Sequence, residues 1–281
     1  MSTIKTIRYI NALGDVLMLD YAHGYVITSM DGVDTVSISA STAQGIGQIG
    51  ATIQSRSIQP RPIIINGTIC GDAQDKCKSA LQAAVLPDVV GTLYADAWAI
   101  EVIVTTTPVI GANKRYAPFQ FQLTAPYPFW QSTAPQAVHL AGVQPLFKFP
   151  WNPSRAYRFG QRVTTKYAKV VNEGQTDCPL RITIDALGAA SFPKIENLLT
   201  GEFLLLEKNL VAGERVVVDI THGNTVVVSS TDGDCTGALS LDSNLYRLHR
   251  GENILKPDAK AGLENLDISI EFAPECVGVV L

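Results

Sequence analysis

Hydrophobic and polar residues alternate in short runs along almost the whole chain, and many of the hydrophobic residues are β-branched. Alternation with a period of two is typical of strands that bury one face. Gly, Asn and Asp stand between the runs, as in Asp31-Gly32, and predict turns. Many short strands with such turns indicate a mainly β chain of sandwich-like or barrel-like domains. The runs include residues 16–20, 25–29, 36–40, 61–69, 100–106, 119–123, 180–185, 215–219, 225–229 and 267–272.

One segment has helical spacing instead. Its apolar residues stand at i, i+4, i+7 and i+8, which places them on one face of a helix. Asp72 can cap the start of this helix, and Pro87 ends it. The spacing predicts a helix over residues 73–86 that packs against a sheet. The apolar positions are Cys77, Leu81, Ala84 and Val85.

Prolines and aromatic residues cluster between Pro126 and Gly160, a range that includes the segment 131–160. Because proline is excluded from central strands, this cluster predicts a junction between two domains. We therefore expect a boundary near Trp130. Residues 1–130 then form an N-terminal domain with the helix and a long hairpin loop, and residues 131–281 form a second β-sandwich.

Composition narrows the function classes. The 281 residues are 46% hydrophobic and 17% charged, which excludes a disordered chain. No apolar run approaches the ~20 residues that span a bilayer, and the first residues lack a signal-peptide pattern. We expect a soluble protein made in the cytoplasm, without membrane contact. The net charge of −4 argues against specific nucleic-acid binding.

No group of residues has the spacing of a catalytic or metal site. The five cysteines include no C-x-x-C pair, and the four histidines stand apart from any catalytic motif. Gly45-Ile46-Gly47-Gln48-Ile49-Gly50 matches a dinucleotide-binding pattern, but the β-branched residues after it predict no helix, which such a site requires. We therefore expect no cofactor, no metal and no enzymatic activity, and interpret the glycines as a flexible loop or a hairpin tip.

Several segments, taken in order, resemble the distal tail proteins of long, non-contractile-tailed bacteriophages, a siphophage tail-component family. Residues 7–15 and 25–32 are similar to the family's first hairpin. The glycine loop leads into an R-x-I-x-I-x-G-x-I strand at 61–69. The resemblance extends over nearly the whole chain, with further markers at 171–174, 193–197, 212–214, 251–254 and 274–279.

The resemblance implies a homohexameric ring formed through the N-terminal domain, with a galectin-like, jelly-roll-type C-terminal sandwich projecting outward. Such a ring lies at the distal end of the virion tail, at the baseplate or tail tip, and lets DNA pass. It links the tail-tube protein to the tail-tip (tail-associated) protein and in some members supports receptor-binding proteins. On this basis we expect a structural protein that is assembled in the host cytoplasm.

The loop over residues 41–60 is the predicted subunit interface. A closed ring needs two different complementary patches on each subunit. As a hairpin of about ten residues per strand at ~3.3 Å each, this loop reaches ~30 Å and can lie along a neighbour. A disordered surface loop is the alternative. The candidate interface residues are Gln44, Gln48, Gln54, Arg56, Gln59 and Arg61.

Two other functions stay open. A carbohydrate-binding β-sandwich contacting host surface glycans needs exposed aromatic platforms. However, Trp98 lies beside an apolar strand, and Trp130 and Trp151 lie in the junction. A glycan hydrolase needs two carboxylates that face each other across a cleft. The sequence pattern does not identify such a pair among the 26 acidic residues. The sequence does not separate an infectious phage from a defective prophage or a tail-like bacteriocin.

Overall fold

A computed structural model describes residues 6–71, 74–113, 115–145, 160–163, 167–221 and 224–279. The chain is mainly β, as predicted, and divides into two compact units. The first unit is Met1–Thr133 with Glu275–Leu281, and the second is Ala134–Pro274. The predicted second domain, 131–281, thus differs at both ends from the observed unit. The second unit is inserted into the first, whose last segment follows it in the chain.

Before the insertion, the described strands of the first unit run from β1 to β10. They are β1 (Ile7–Asn11), β2 (Val16–Met18), β3 (Tyr25–Asp31), β4 (Ile38–Ala43), β5 (Thr52–Ile58), β6 (Arg61–Cys70), β7 (Val90–Ala95), β8 (Trp98–Ile110), β9 (Tyr116–Ala125) and β10 (Trp130–Ser132).

In the second unit the described strands run from β11 to β22, and β23 then returns to the first unit. They are β11 (Gln136–Pro145), β12 (Gly160–Val163), β13 (Ala168–Asn172), β14 (Leu180–Ala186), β15 (Ala190–Asn197), β16 (Phe203–Leu205), β17 (Asn209–Leu210), β18 (Arg215–Thr221), β19 (Asn224–Ser229), β20 (Gly233–Asp234), β21 (Gly251–Ala261), β22 (Leu266–Phe272) and β23 (Glu275–Cys276).

A nine-stranded antiparallel sheet forms the body of the first unit. Seven strands follow the order β2-β1-β7-β8-β9-β6-β3, while β10 pairs with both β8 and β23. Burial alternates along β6 and β9, so every second side chain enters the core. This alternation follows from the period-two pattern of the sequence.

The helix α1 (Gln74–Ala84) packs against this core. The predicted cap, Asp72, lies outside the described residues. At the other end, Asn11 Nδ2 donates to the carbonyl of Ala84 at 3.1 Å, which satisfies one of the acceptors that a helix end leaves open. The side chains that face the core are those of the predicted stripe: Cys77 in part, and Leu81, Ala84 and Val85 fully.

Two sheets form the second unit. One has the order β12-β11-β22-β14-β18-β19-β20, and the other has the order β13-β21-β15-β16, with β17 paired to β15. Side chains from both sheets, such as Ile182 and Ile195, belong to one buried cluster. The unit is therefore a β-sandwich, and its galectin-like type stays a prediction.

A buried carboxylate fixes the turn that precedes β18. Glu214, which is 2% exposed, accepts hydrogen bonds from Ser229 Oγ at 2.6 Å, Thr231 Oγ1 at 3.0 Å and the Val211 amide at 3.1 Å. Lys208 Nζ lies 2.7 Å from it. Burial alone would raise the pKa of Glu214, but these donors outweigh it and lower the pKa to about 2.

We expect Glu214→Gln to destabilise the second unit by about 2 kcal/mol at neutral pH, because the amide cannot accept all of these hydrogen bonds. The midpoint of the calorimetric transition of this unit should fall by roughly 5 °C. Because the folded-state pKa is depressed, this contribution is present above pH 4.5 and is lost as the pH falls toward about 2. The exposed Glu207, changed to Gln, is the control. Equal midpoints for both variants at neutral pH would contradict the prediction.

Candidate subunit interface

The predicted hairpin loop folds as a two-stranded sheet of its own. Among the described strands, β4 and β5 pair only with each other. All their residues are exposed except Ala43, which is half-buried. We call residues 38–58 the arm; it leaves the first unit between β3 and β6. An isolated two-stranded hairpin is only marginally stable in water, so a surface that covers the arm would stabilise it.

Glycines and one glutamine shape the tip of the arm. Gly47 and Gly50 have φ values of 79° and 82°, in the left-handed region that favours glycine. Gln48 Oε1 accepts a hydrogen bond from the Gly45 amide at 3.0 Å, and its carbonyl accepts one from Gln44 Nε2 at 3.0 Å. The six-residue glycine motif is therefore a hairpin tip.

Strand register gives the arm two chemically different faces. Directly opposite residues share a face, and a bulge leaves Gln54 without an opposite residue, which transfers Ile53 to the face of Ile58. Isoleucines dominate one face, and small hydroxyl side chains dominate the other. The isoleucine face is Ile38, Ala40, Thr42, Ile53, Arg56 and Ile58, and the serine face is Ser39, Ser41, Ala43, Thr52, Ser55 and Ser57.

The arm is almost free of charge. Arg56 is the only charged residue between positions 35 and 60. Ile38 and Ile53 are 65% and 63% exposed. An exposed apolar stripe beside unpaired strand edges is typical of an interaction surface. In an isolated subunit, such edges can pair with another chain.

Four of the six predicted interface residues lie on the arm. Gln54 and Arg56 are exposed. Gln44 and Gln48 bond within the tip, and Gln48 Nε2 also donates to Thr52 Oγ1 at 3.1 Å. Their amide groups therefore hold the shape of the tip.

The other two predicted residues, Gln59 and Arg61, lie where the arm joins the unit. The Gln59 amide donates to the Ser37 carbonyl at 2.9 Å and closes the base of the hairpin. Arg61 is 1% exposed, so its side chain is not on the arm's surface. Sequence reasoning missed this because an arginine at the start of a strand usually points to solvent.

Arg61 instead binds backbone carbonyls inside its own unit. Its Nη1 donates to Val33 at 2.8 Å and to Gly32 at 3.2 Å, and its Nη2 donates to the carbonyl of Val277. Burial lowers the pKa of this guanidinium. We call residues 32–34 together with Arg61 the root of the arm.

One histidine of the second unit contacts two acidic side chains. His249 lies between two carboxylates, with Nδ1 3.0 Å from Asp177 Oδ2 and Nε2 2.6 Å from Glu202 Oε2. The hydrogen bond with Glu202 raises its pKa, and the cluster ties three loops together. Within the described residues, no group of three or more His, Cys, Asp or Glu could hold a metal ion. No helix in the same part of the chain is long and apolar enough to cross a membrane.

Comparisons with known proteins agree with the resemblance drawn from the sequence. Residues 173–275 match the family model of the siphovirus-type tail component, C-terminal domain. A search of curated proteins finds no match. The fold is similar to the crystal structure of the SPP1 Dit (gp 19.1) protein, with a TM-score of 0.69, 14% identity, and coverage of 96% of this chain and 99% of that one.

A second solved structure is also similar, that of the phage P2 baseplate in its activated conformation with Ca. The TM-score is 0.52 at 8% identity, and the match covers 98% of this chain and 99% of that one. At such identities the likeness shows a shared fold. Together with the family match, it confirms the resemblance to the siphophage distal tail protein family.

We expect trypsin to cut the isolated subunit after Arg56. This is the only Lys or Arg between Arg8 and Arg61, and Arg61 is followed by proline. A two-stranded hairpin opens readily enough to enter a protease. Mass spectrometry of a native digest should show a fragment that ends at Arg56, and Arg56→Gln should abolish it. An arm that resists cleavage in a verified monomer would contradict this prediction.

Proposed function

We propose that this chain is a structural protein of a siphovirus tail, and that six copies close into a ring at the distal end of the tail. The family match over residues 173–275 and the shared fold with SPP1 Dit, described as a hub of an adsorption apparatus, support the tail role. The observation that carries the ring is the arm, because it is an exposed and nearly uncharged hairpin with one isoleucine face.

The arm supplies one of the two patches that a closed ring requires. In a head-to-tail ring, each subunit offers a donor surface to one neighbour and an acceptor surface to the other. Full burial of an isoleucine is worth about 1.5–3 kcal/mol, so the three isoleucines of one face contribute roughly 5 kcal/mol to each interface. The outer strand edges add backbone hydrogen bonds when a neighbouring strand pairs with them. Gln54 and Arg56 are the predicted interface residues with exposed side chains here.

The proposed ring joins the tail-tube protein to the tail-tip protein and supports receptor-binding proteins where the phage has them. DNA passes through its centre. A net charge of −4 suits such a passage, because a phosphate backbone is not held by a protein of the same sign. The role needs no cofactor and no catalytic group. Assembly then takes place in the host cytoplasm, and the ring is found in the virion.

Light scattering measures whether the ring forms. We expect a species of about 180 kDa, six times the 30.2 kDa of one chain, with a central hole in negative-stain images. Assembly should also slow the tryptic cut after Arg56, because the neighbour covers the arm. A chain that stays monomeric and binds a surface polysaccharide would instead favour the carbohydrate-binding function.

The two faces of the arm allow a matched test of the interface. Ile38→Asp places a charge on the isoleucine face, and Ser39→Asp places the same charge on the serine face of the same strand. We expect the first change to cost about 3 kcal/mol at each interface, which weakens association more than a hundredfold, and the second to leave the hexamer intact. Equal loss of the hexamer in both variants, or in neither, would overturn the assignment of the isoleucine face.

A further inference from the structure

Residues 275–279, which we call the strap, are built into the first unit after the chain has completed the second. Glu275 is fully buried, and both of its carboxylate oxygens accept the Tyr127 hydroxyl, at 2.8 and 2.7 Å. Gln131 Nε2 donates to the same carboxylate at 3.2 Å. Cys276 is also buried and pairs with Trp130 across β10 and β23. The strap is therefore anchored at its first two residues.

Beyond this anchor, the strap forms hydrogen bonds with both parts of the root, Val33 and Arg61. The Val279 amide donates to the Val33 carbonyl at 3.1 Å. The Val277 carbonyl accepts a hydrogen bond from Arg61, which lies 216 positions earlier in the chain. The strap thus bonds Val33, in the segment that leads into the arm, and Arg61, just after the arm.

Gly278 passes so close to the root that no side chain fits. A Cβ atom at this position would lie 2.3 Å from the Asp34 carbonyl oxygen and 2.6 Å from the Asp34 carbonyl carbon. These are backbone atoms, so the contact cannot be relieved by a rotamer change. The φ of Gly278 lies outside the left-handed region, so the absence of a side chain, and not a special backbone conformation, is what the position requires.

From these contacts we infer that the strap is the positioning device of the arm: it fixes the root, and so sets the direction in which the arm leaves the unit. The arm itself has no other described sheet partner, so its root is where its direction is set. The consequence for assembly rests on the proposed function. In the proposed ring, a subunit presents its arm in a defined direction only after the strap has been added.

Gly278→Ala tests this inference with a single methyl group. The matched control is Gly237→Ala, because a Cβ at Gly237 meets nothing within 4 Å and its φ is also outside the left-handed region. The measurement is amide hydrogen exchange of the full chain in its monomeric fraction. We expect exchange in residues 32–38 and 57–62 to be about tenfold faster in Gly278→Ala, with the strands β7 to β9 unchanged. The control should match the wild type throughout.

A chain that ends at Val277 is the second variant, and it is scored in the same way. It removes the Val279 hydrogen bond and the Gly278 contact without introducing a clash. Unchanged exchange at the root in both variants would overturn the inference. So would equal acceleration across the whole first unit, since the strap would then be an ordinary element of the core.

Hydrogen exchange at the root tests the strap, whereas the assembly measurement tests the ring, so the two proposals can fail separately. If the wild type forms no ring, root exchange still decides whether the strap positions the arm. If the root loosens and the ring forms as before, the strap positions the arm but the arm is not the interface. If Gly278→Ala loses both the slow exchange at the root and the ring, and Gly237→Ala retains both, the inference and the proposed function are supported together.

Discussion

The carbonyl of Val33 is the point on which the geometry of the first unit depends. It accepts hydrogen bonds from Arg61 Nη1 at 2.8 Å, Trp130 Nε1 at 3.0 Å and the Val279 amide at 3.1 Å. A carbonyl has two lone pairs, and a charged donor binds it more strongly than a neutral one, so three donors in a buried setting hold this atom firmly. The three donors come from the start of β6, from β10 and from the strap. One backbone oxygen thus joins three distant parts of the chain at the root of the arm.

Much of the fold could be predicted from the sequence, but the role of the Val33 carbonyl oxygen could not. Period-two alternation predicts the strands, and helical spacing predicts the stripe that includes Leu81, because both patterns are local. The turn at the glycines could also be predicted, because it too depends on local sequence. The role of Arg61 was not, since its partners are backbone carbonyls, which have no sequence signature, and one of them is 216 positions away. Gln44 and Gln48 illustrate a related limit, because composition does not tell whether an amide bonds within its own loop or beyond it.

The bulge at Gln54 is a second feature that alternation cannot predict. Without the extra residue, Ile53 would fall on the face of Ser55 and Ser57, because a shift of one residue reverses the side of every following side chain. With it, the isoleucines are collected on one face. A hairpin with one apolar face, one charge and open edges is hazardous in a free subunit and useful in an assembled one. In the proposed ring, a neighbour covers these exposed strands, while hydrogen bonds within the subunit fix the root.

The order of the chain adds a temporal constraint to this geometry. At about 5–20 residues per second, the strap is synthesised roughly 10–40 s after Arg61. During this time the arm exists without its last anchor. Fixing a backbone residue costs about 1–2 kcal/mol, so a neighbour that captured a loosely rooted arm would have to supply this ordering free energy itself. A completed strap has already supplied it, and binding to a preorganised arm is correspondingly tighter. In the proposed ring, a subunit whose strap is in place therefore binds its neighbour more tightly than one that still lacks the strap.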